Sequence, residues 1–213
     1  MRRLRRRLHR CRDLEHNTYT GAMTFLRWVV WLQQRLSPVR FTHSLAVADT
    51  AALLAVAVGA DPPRARLAGL LHDLARELPD AESERLFHVL QLEEKPIVMT
   101  TALLHGPVAA AWLERTRVIS DAEVLEAVRR HTTGAPGMGR LAEVVFLADA
   151  IEPGRDYPGA DLLRSEAMKD FDTALLHSVE HSLAYLSAAD MRIDSRSVMY
   201  RDELRRRWER RGR

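Results

Sequence analysis

Every apolar run in this chain is bounded the way a helix is bounded. Ser37-Pro38 reads as an N-cap followed by proline at the first helical position, and the apolar series from Leu45 to Val58 stops at Gly59. Asp61-Pro62-Pro63 opens a second helix, RARLAGLLHDLAREL, that ends before Pro79, and Asp80 is placed to cap a short successor. Pro96 precedes IVMTTALLHGPVAAAWLERTRV, in which Gly106-Pro107 should break or kink the helix immediately after His105. Ser120 and Glu123 form a capping box for DAEVLEAVRRH, which stops at Thr133-Gly134. LAEVVFLADAIE ends at Pro153, the loop GRDYPG follows, and two or three more helices fill the remainder. No segment alternates polar and apolar residues between hairpin turns, and no internal repeat is present. The expected fold class is all-α.

At 213 residues the chain suits one domain with a sizeable core. A hydrophobic fraction of 46% beside 29% charged residues excludes collagen-like and disordered chains. The single cysteine, Cys11, cannot form an internal disulfide, and no secretory signal or membrane-length apolar run is evident, so a reducing cytoplasm is the expected compartment.

The net charge of +3 is unevenly distributed. Residues 1–12 and 201–213 carry seven Arg each, and without them 18 basic residues face 26 acidic ones. The expected organisation is a basic extension at residues 1–22, a domain at 23–200 and a basic tail at 201–213. Met23 opens an amphipathic stretch of its own, so a misassigned translation start would account for residues 1–22. The tails interleave no aromatics in a base-stacking pattern and read as solvated charged ends, with nucleic-acid binding the competing reading.

Chemistry enters with the histidines. His43 in RFTHSLAVAD, His72-Asp73 in AGLLHDLAR, His105 in LLHG, His131 in RRHTTG and Asp149 in FLADAIEP all lie inside apolar helices or at helix ends. Any one of these histidines alone reads as a core residue. Together, four imidazoles and two carboxylates without an available thiolate describe a nitrogen and oxygen site for Fe, Mn, Zn or Mg. An adjacent His-Asp pair on an apolar helix otherwise buries an unpaired charge.

The set SPVRFTHSLAVA, AGLLHDLAR, LLHGPVAA, RRHTTGAPGM and FLADAIEPGRDYPGAD resembles the HD-domain metal-dependent phosphohydrolases, and within them the symmetrical dinucleoside tetraphosphatases, over Trp28 to Asp202. The resemblance implies an HD-type helical bundle with a metal site between helices, and cleavage of diadenosine tetraphosphate into two ADP. By the same resemblance His43, His72, Asp73 and Asp149 hold the principal metal, iron or manganese, while His105 and His131 hold substrate phosphate or a second ion. Asp73 is also the candidate to orient the attacking water. Other nucleotide phosphohydrolases or phosphodiesterases of the superfamily, and a slow-turnover nucleotide sensor, are the alternatives, and the apolar helix faces leave a homodimer open.

Phosphate needs cationic donors. Arg76 lies one helical turn after His72, where the family usually has lysine, and Arg155 sits in the GRDYPG loop, where the resemblance assigns it to the nucleotide. Both compete with a reading as surface ion pairs to Glu77 or Asp156. Arg40 either binds phosphate or supports His43, and Thr132 offers a hydroxyl beside His131. The resemblance assigns MRIDSRSVMY to closing over the base. Tyr157 stacks on a base or packs its own loop, and His177 and His181, four apart without an intervening glutamate, read as partly exposed residues rather than a metal pair.

Overall fold

The structure is a computed structural model that describes residues 21–212, so the extension expected at residues 1–22 lies almost wholly outside the described residues. Ten helices are present among them: α1 (Gly21–Gln33), α2 (Pro38–Val58), α3 (Pro62–Leu71), α4 (Asp80–Val89), α5 (Thr101–Arg115), α6 (Ala122–Arg130), α7 (Arg140–Ile151), α8 (Ala160–Ala167), α9 (Phe171–Ala188) and α10 (Ser195–Arg211). The described residues contain no strand, as the punctuation of the sequence requires.

The capping chemistry is largely as expected. The Ser37 hydroxyl accepts from the Arg40 amide, and Gly59 ends α2 at φ 71°, a left-handed conformation that glycine adopts without a side-chain clash. Asp61 caps α3 through the Arg64 amide. Two caps fall elsewhere. Asp121, not Ser120, caps α6, because its carboxylate accepts from the Glu123 and Val124 amides and also receives two hydrogen bonds from Arg64. Asp80 leaves its own helix uncapped and accepts instead from the Thr101 amide at the start of α5.

The core forms around α2, α3 and α7. Most of α7 is buried, and it packs against α2, α3, α6, α8 and α9. α2 is long and apolar enough by composition to cross a membrane, contrary to the sequence expectation; here it packs along α3 and α7 and carries His43. α3 crosses α2 closely at Gly69, where a Cβ would lie 3.0 Å from both the Ala48 Cα and the Val47 carbonyl oxygen.

The expected break at Gly106-Pro107 does not occur, and α5 runs through both residues. Proline forfeits one backbone hydrogen bond, whereas Gly106 lies against the end of α6, where a Cβ would meet the Val128 carbonyl oxygen at 2.8 Å. This close approach keeps the helix seated.

Residues 201–211 continue α10, so the boundary drawn at residue 200 falls inside a helix. Leu204 is buried, Arg207 pairs with the buried Glu143 on α7, and Arg205 and Arg211 pair with Glu180 and Asp170. The buried Glu143 carboxylate takes Arg140 on its own helix through one oxygen and Arg207 of α10 through the other, so Arg207 ties this helix to the core. Tyr200 is fully buried, edge-on to Phe146, and occupies the space a side chain on Gly134 would need.

Candidate metal centre

α3 ends at Leu71, one residue before the His-Asp doublet, and consecutive turns replace the helix expected to continue to Leu78. The Leu74 and Arg76 amides accordingly bond to the carbonyls of Leu71 and Asp73. This tightened segment lets the Asp73 carboxylate and the His72 ring face one point.

Each imidazole is oriented from behind. His72 Nδ1 donates to the Gly69 carbonyl at 2.6 Å, His105 Nδ1 to Thr101 at 2.9 Å, and His131 Nδ1 to Val128 at 2.8 Å. His43 Nδ1 lies 3.1 Å from a carboxylate oxygen of Glu152, a buried residue outside the set of candidate ligands. These bonds place the Nδ1 proton and leave each Nε2 lone pair directed inward.

The four inward nitrogens form two pairs. His43 Nε2 is 3.2 Å from His72 Nε2, and His105 Nε2 is 2.8 Å from His131 Nε2. Facing lone pairs repel at such distances unless a proton or a cation stands between them. Asp73 spans both pairs, with Oδ2 3.4 Å from His72 Nε2 and Oδ1 3.1 Å from His105 Nε2. Asp149 Oδ1 lies 3.0 Å from His43 Nε2 and 3.7 Å from His72 Nε2. Three triads result, each with donor atoms within 4.8 Å of one another: His43, His72 and Asp73; His72, His131 and Asp149; Asp73, His105 and His131. This donor set fits divalent cations that favour nitrogen and oxygen.

The electrostatics agree with that fit. Burial disfavours an ionised Asp73, but the positive His72 and the hydrogen bonds from His105 and His72 outweigh it and hold the carboxyl far below its ordinary range. Asp149 is likewise held ionised against burial, through its bond to His43 and the charges of His72 and Arg155. Burial also opposes charging of His72, yet the two aspartates raise it to about 9. His131 is pushed down to about 3 by burial and by the neighbouring imidazoles, so it is neutral at physiological pH.

The cluster opens into two cavities. The larger, about 590 Å³, takes in Arg40, Arg76, Asp73, His105 and Thr132, together with Met191 and Arg192 from the segment expected over the base. The smaller, about 470 Å³, lies on the side of Tyr157 and α9. Arg155 and Asp149 belong to both. Arg40 Nη1 is 2.5 Å from Asp73 Oδ2, and Arg155 bonds the Asp149 carboxylate and its carbonyl rather than Asp156. Thr132 Oγ1 is 3.1 Å from His131 Nε2. His177 pairs with Glu166 at 2.7 Å, away from the cluster. Glu152 escaped the sequence reading, and its only signal is a carboxylate one turn after Asp149.

The HD domain family matches residues 40–154, a span that holds every member of the cluster. The chain is 34% identical over 155 residues to "Bis(5'-nucleosyl)-tetraphosphatase, symmetrical" of Bacillus subtilis, a match covering 73% of this chain and 83% of that one. It belongs to the HD domain family, in the branch of the symmetrical bis(5'-nucleosyl)-tetraphosphatases. The protein of that name from Staphylococcus aureus is 32% identical over 168 residues, covering 78% of this chain and 87% of that one. Among solved structures, an HD superfamily hydrolase from Clostridium acetobutylicum, described as involved in NAD metabolism, superimposes with a TM-score of 0.82 at 31% identity, covering 90% of this chain and all of that one. An HD domain thus accounts for both the helical bundle and the His/Asp cluster at its centre.

Proposed function

We propose that this protein is a cytoplasmic hydrolase that cleaves diadenosine tetraphosphate symmetrically into two ADP. The observation that carries the reading is the convergence of four imidazole nitrogens and two carboxylates, of which Asp73, His105, His131 and Asp149 line a cavity that also holds Arg40, Arg76 and Arg155. The activity named for the relatives supports the choice of substrate.

His43, His72, Asp73 and Asp149 would hold the principal cation, with iron or manganese suited to this donor set, and Asp73, His105 and His131 would hold a second. A divalent ion there supplies Lewis-acid polarisation of a phosphoryl oxygen and makes a nearby water acidic. The chain supplies the rest. Glu152 and the carbonyls of Gly69, Thr101 and Val128 fix the imidazoles, so the site needs little reorganisation. Arg40, Arg76 and Arg155 take the charge of the polyphosphate, and Thr132 donates a hydroxyl hydrogen bond to a phosphate oxygen. Asp73, kept ionised, accepts a hydrogen bond from the attacking water and aligns it. Water oxygen bonds to the second phosphorus from one end, the bond from that phosphorus to the central bridging oxygen breaks, and ADP departs as a weakly basic leaving group. Incubation with diadenosine tetraphosphate under Fe(II), Mn(II) and metal-free conditions, with products resolved by chromatography, tests the reading. Metal-dependent ADP as sole product is expected. AMP with ATP, or no turnover with either metal, would overturn it.

A further inference from the structure

Beyond Asp149 and His131, the smaller cavity is lined by side chains to which neither cation binding nor water alignment assigns a role. One face of α9 presents Ser178, His181, Ser182 and Tyr185 to it, spaced three and four residues apart as one helical face requires. The opposite wall brings Tyr157, whose ring stacks on His181 at 4.8 Å between centroids and 27° between planes. The Tyr157 hydroxyl donates to the Ala150 carbonyl at 2.9 Å, which fixes the ring in place. Aromatic and imidazole planes beside two hydroxyls form a surface for a base and a sugar. At about 470 Å³ the cavity is of a size usual for small-molecule sites.

Its position relative to the cluster is the second observation. Asp149, His131, Thr132 and Arg155 line both cavities, as do Ser182 and Tyr185 of α9, so the two are continuous at the cluster, whereas Tyr157, Ser178 and His181 line the smaller one alone. The cationic side chains are distributed unequally: Arg40, Arg76 and Arg192 line the larger cavity, and the smaller has Arg155 alone, at the junction. From the cluster outward, the smaller cavity therefore runs from phosphate chemistry to aromatic chemistry.

We infer that the Tyr157–His181 cavity holds the second nucleoside of a dinucleoside polyphosphate, and that it makes the enzyme prefer substrates with a nucleoside at both ends. The inference rests on the proposed hydrolysis of diadenosine tetraphosphate. One nucleoside lies in each cavity, the phosphate chain crosses the junction, and the scissile bond falls mid-chain because the cluster lies between the two sites.

The test compares diadenosine tetraphosphate with adenosine 5′-tetraphosphate, which has the same phosphate chain and one nucleoside fewer. The full chain loaded with Mn(II) is expected to favour the former in kcat/KM by about tenfold or more, the order of one base stacked on aromatic groups. Tyr157→Ala and His181→Ala should reduce that ratio toward one, chiefly through KM for the dinucleotide, and Tyr157→Phe, which retains the ring, should restore it. Circular dichroism and metal content check that each variant is folded and loaded. Turnover of both substrates by the wild type with the same ratio in the alanine variants would overturn the subsite alone. Turnover of neither would bring down the proposed reaction and the subsite with it.

Discussion

The two histidine pairs of the cluster are alike in geometry and unlike in what stands behind them. His43 is backed by the Glu152 carboxylate and faces Asp149, whereas His105 and His131 are backed only by backbone carbonyls. A carboxylate behind an imidazole makes the ring a stronger donor. We propose that the carboxylate behind His43 makes the first pair the higher-affinity half of the site. Asp73 belongs to both, with one carboxylate oxygen toward each pair.

The largest effect is expected where the two halves share a residue. Asp73→Ala should abolish metal binding and activity together, with metal content read by elemental analysis; metal retained at the wild-type level would refute the shared-ligand assignment. Glu152→Gln separates the halves, because among the four histidines its carboxylate meets only His43: metal affinity at the first pair should fall about 10- to 100-fold. A titration in which the weaker class of sites changes instead would reverse the ranking of the two pairs. Gly106→Ala acts on the other half, since its Cβ would meet the Val128 carbonyl oxygen at 2.8 Å and the His131 ring at 3.2 Å. We expect a loss of about 1–3 kcal/mol from overpacking, seen as a melting temperature lower by roughly 2–4 °C per kcal/mol for a chain of this size. An unchanged melting temperature would show that α5 and α6 are not held at contact. His177→Ala, outside both halves, should alter stability by less than about 0.5 kcal/mol and leave metal content intact.

The donor set was legible in the sequence because burial of a titratable group in an apolar run is conspicuous. His43, His72, Asp73, His105, His131 and Asp149 all meet at the cluster. What surrounds them was less legible. Glu152 precedes a proline and reads as a helix terminus; only the fold places its carboxylate behind a histidine more than a hundred positions earlier. Helix periodicity carried α3 through Leu78, but the chain tightens after Leu71, where His72 takes the Gly69 carbonyl. Pro107 was read by its local penalty, which the packing of Gly106 outweighs. The spacing of His177 and His181 suggested a shared face, yet one pairs with Glu166 and the other stacks on Tyr157, a difference decided by elements remote in sequence.

The seating of Tyr200 against Gly134 has a consequence for synthesis. All six members of the His/Asp cluster have been translated by residue 149, well before Tyr200 is added. Until α10 arrives, the turn that follows His131 and Thr132 lacks the ring it packs on, and the buried Glu143 lacks Arg207. A nascent chain therefore carries every donor of its cluster before it has the helix that packs on the turn after Thr132 and pairs with Glu143.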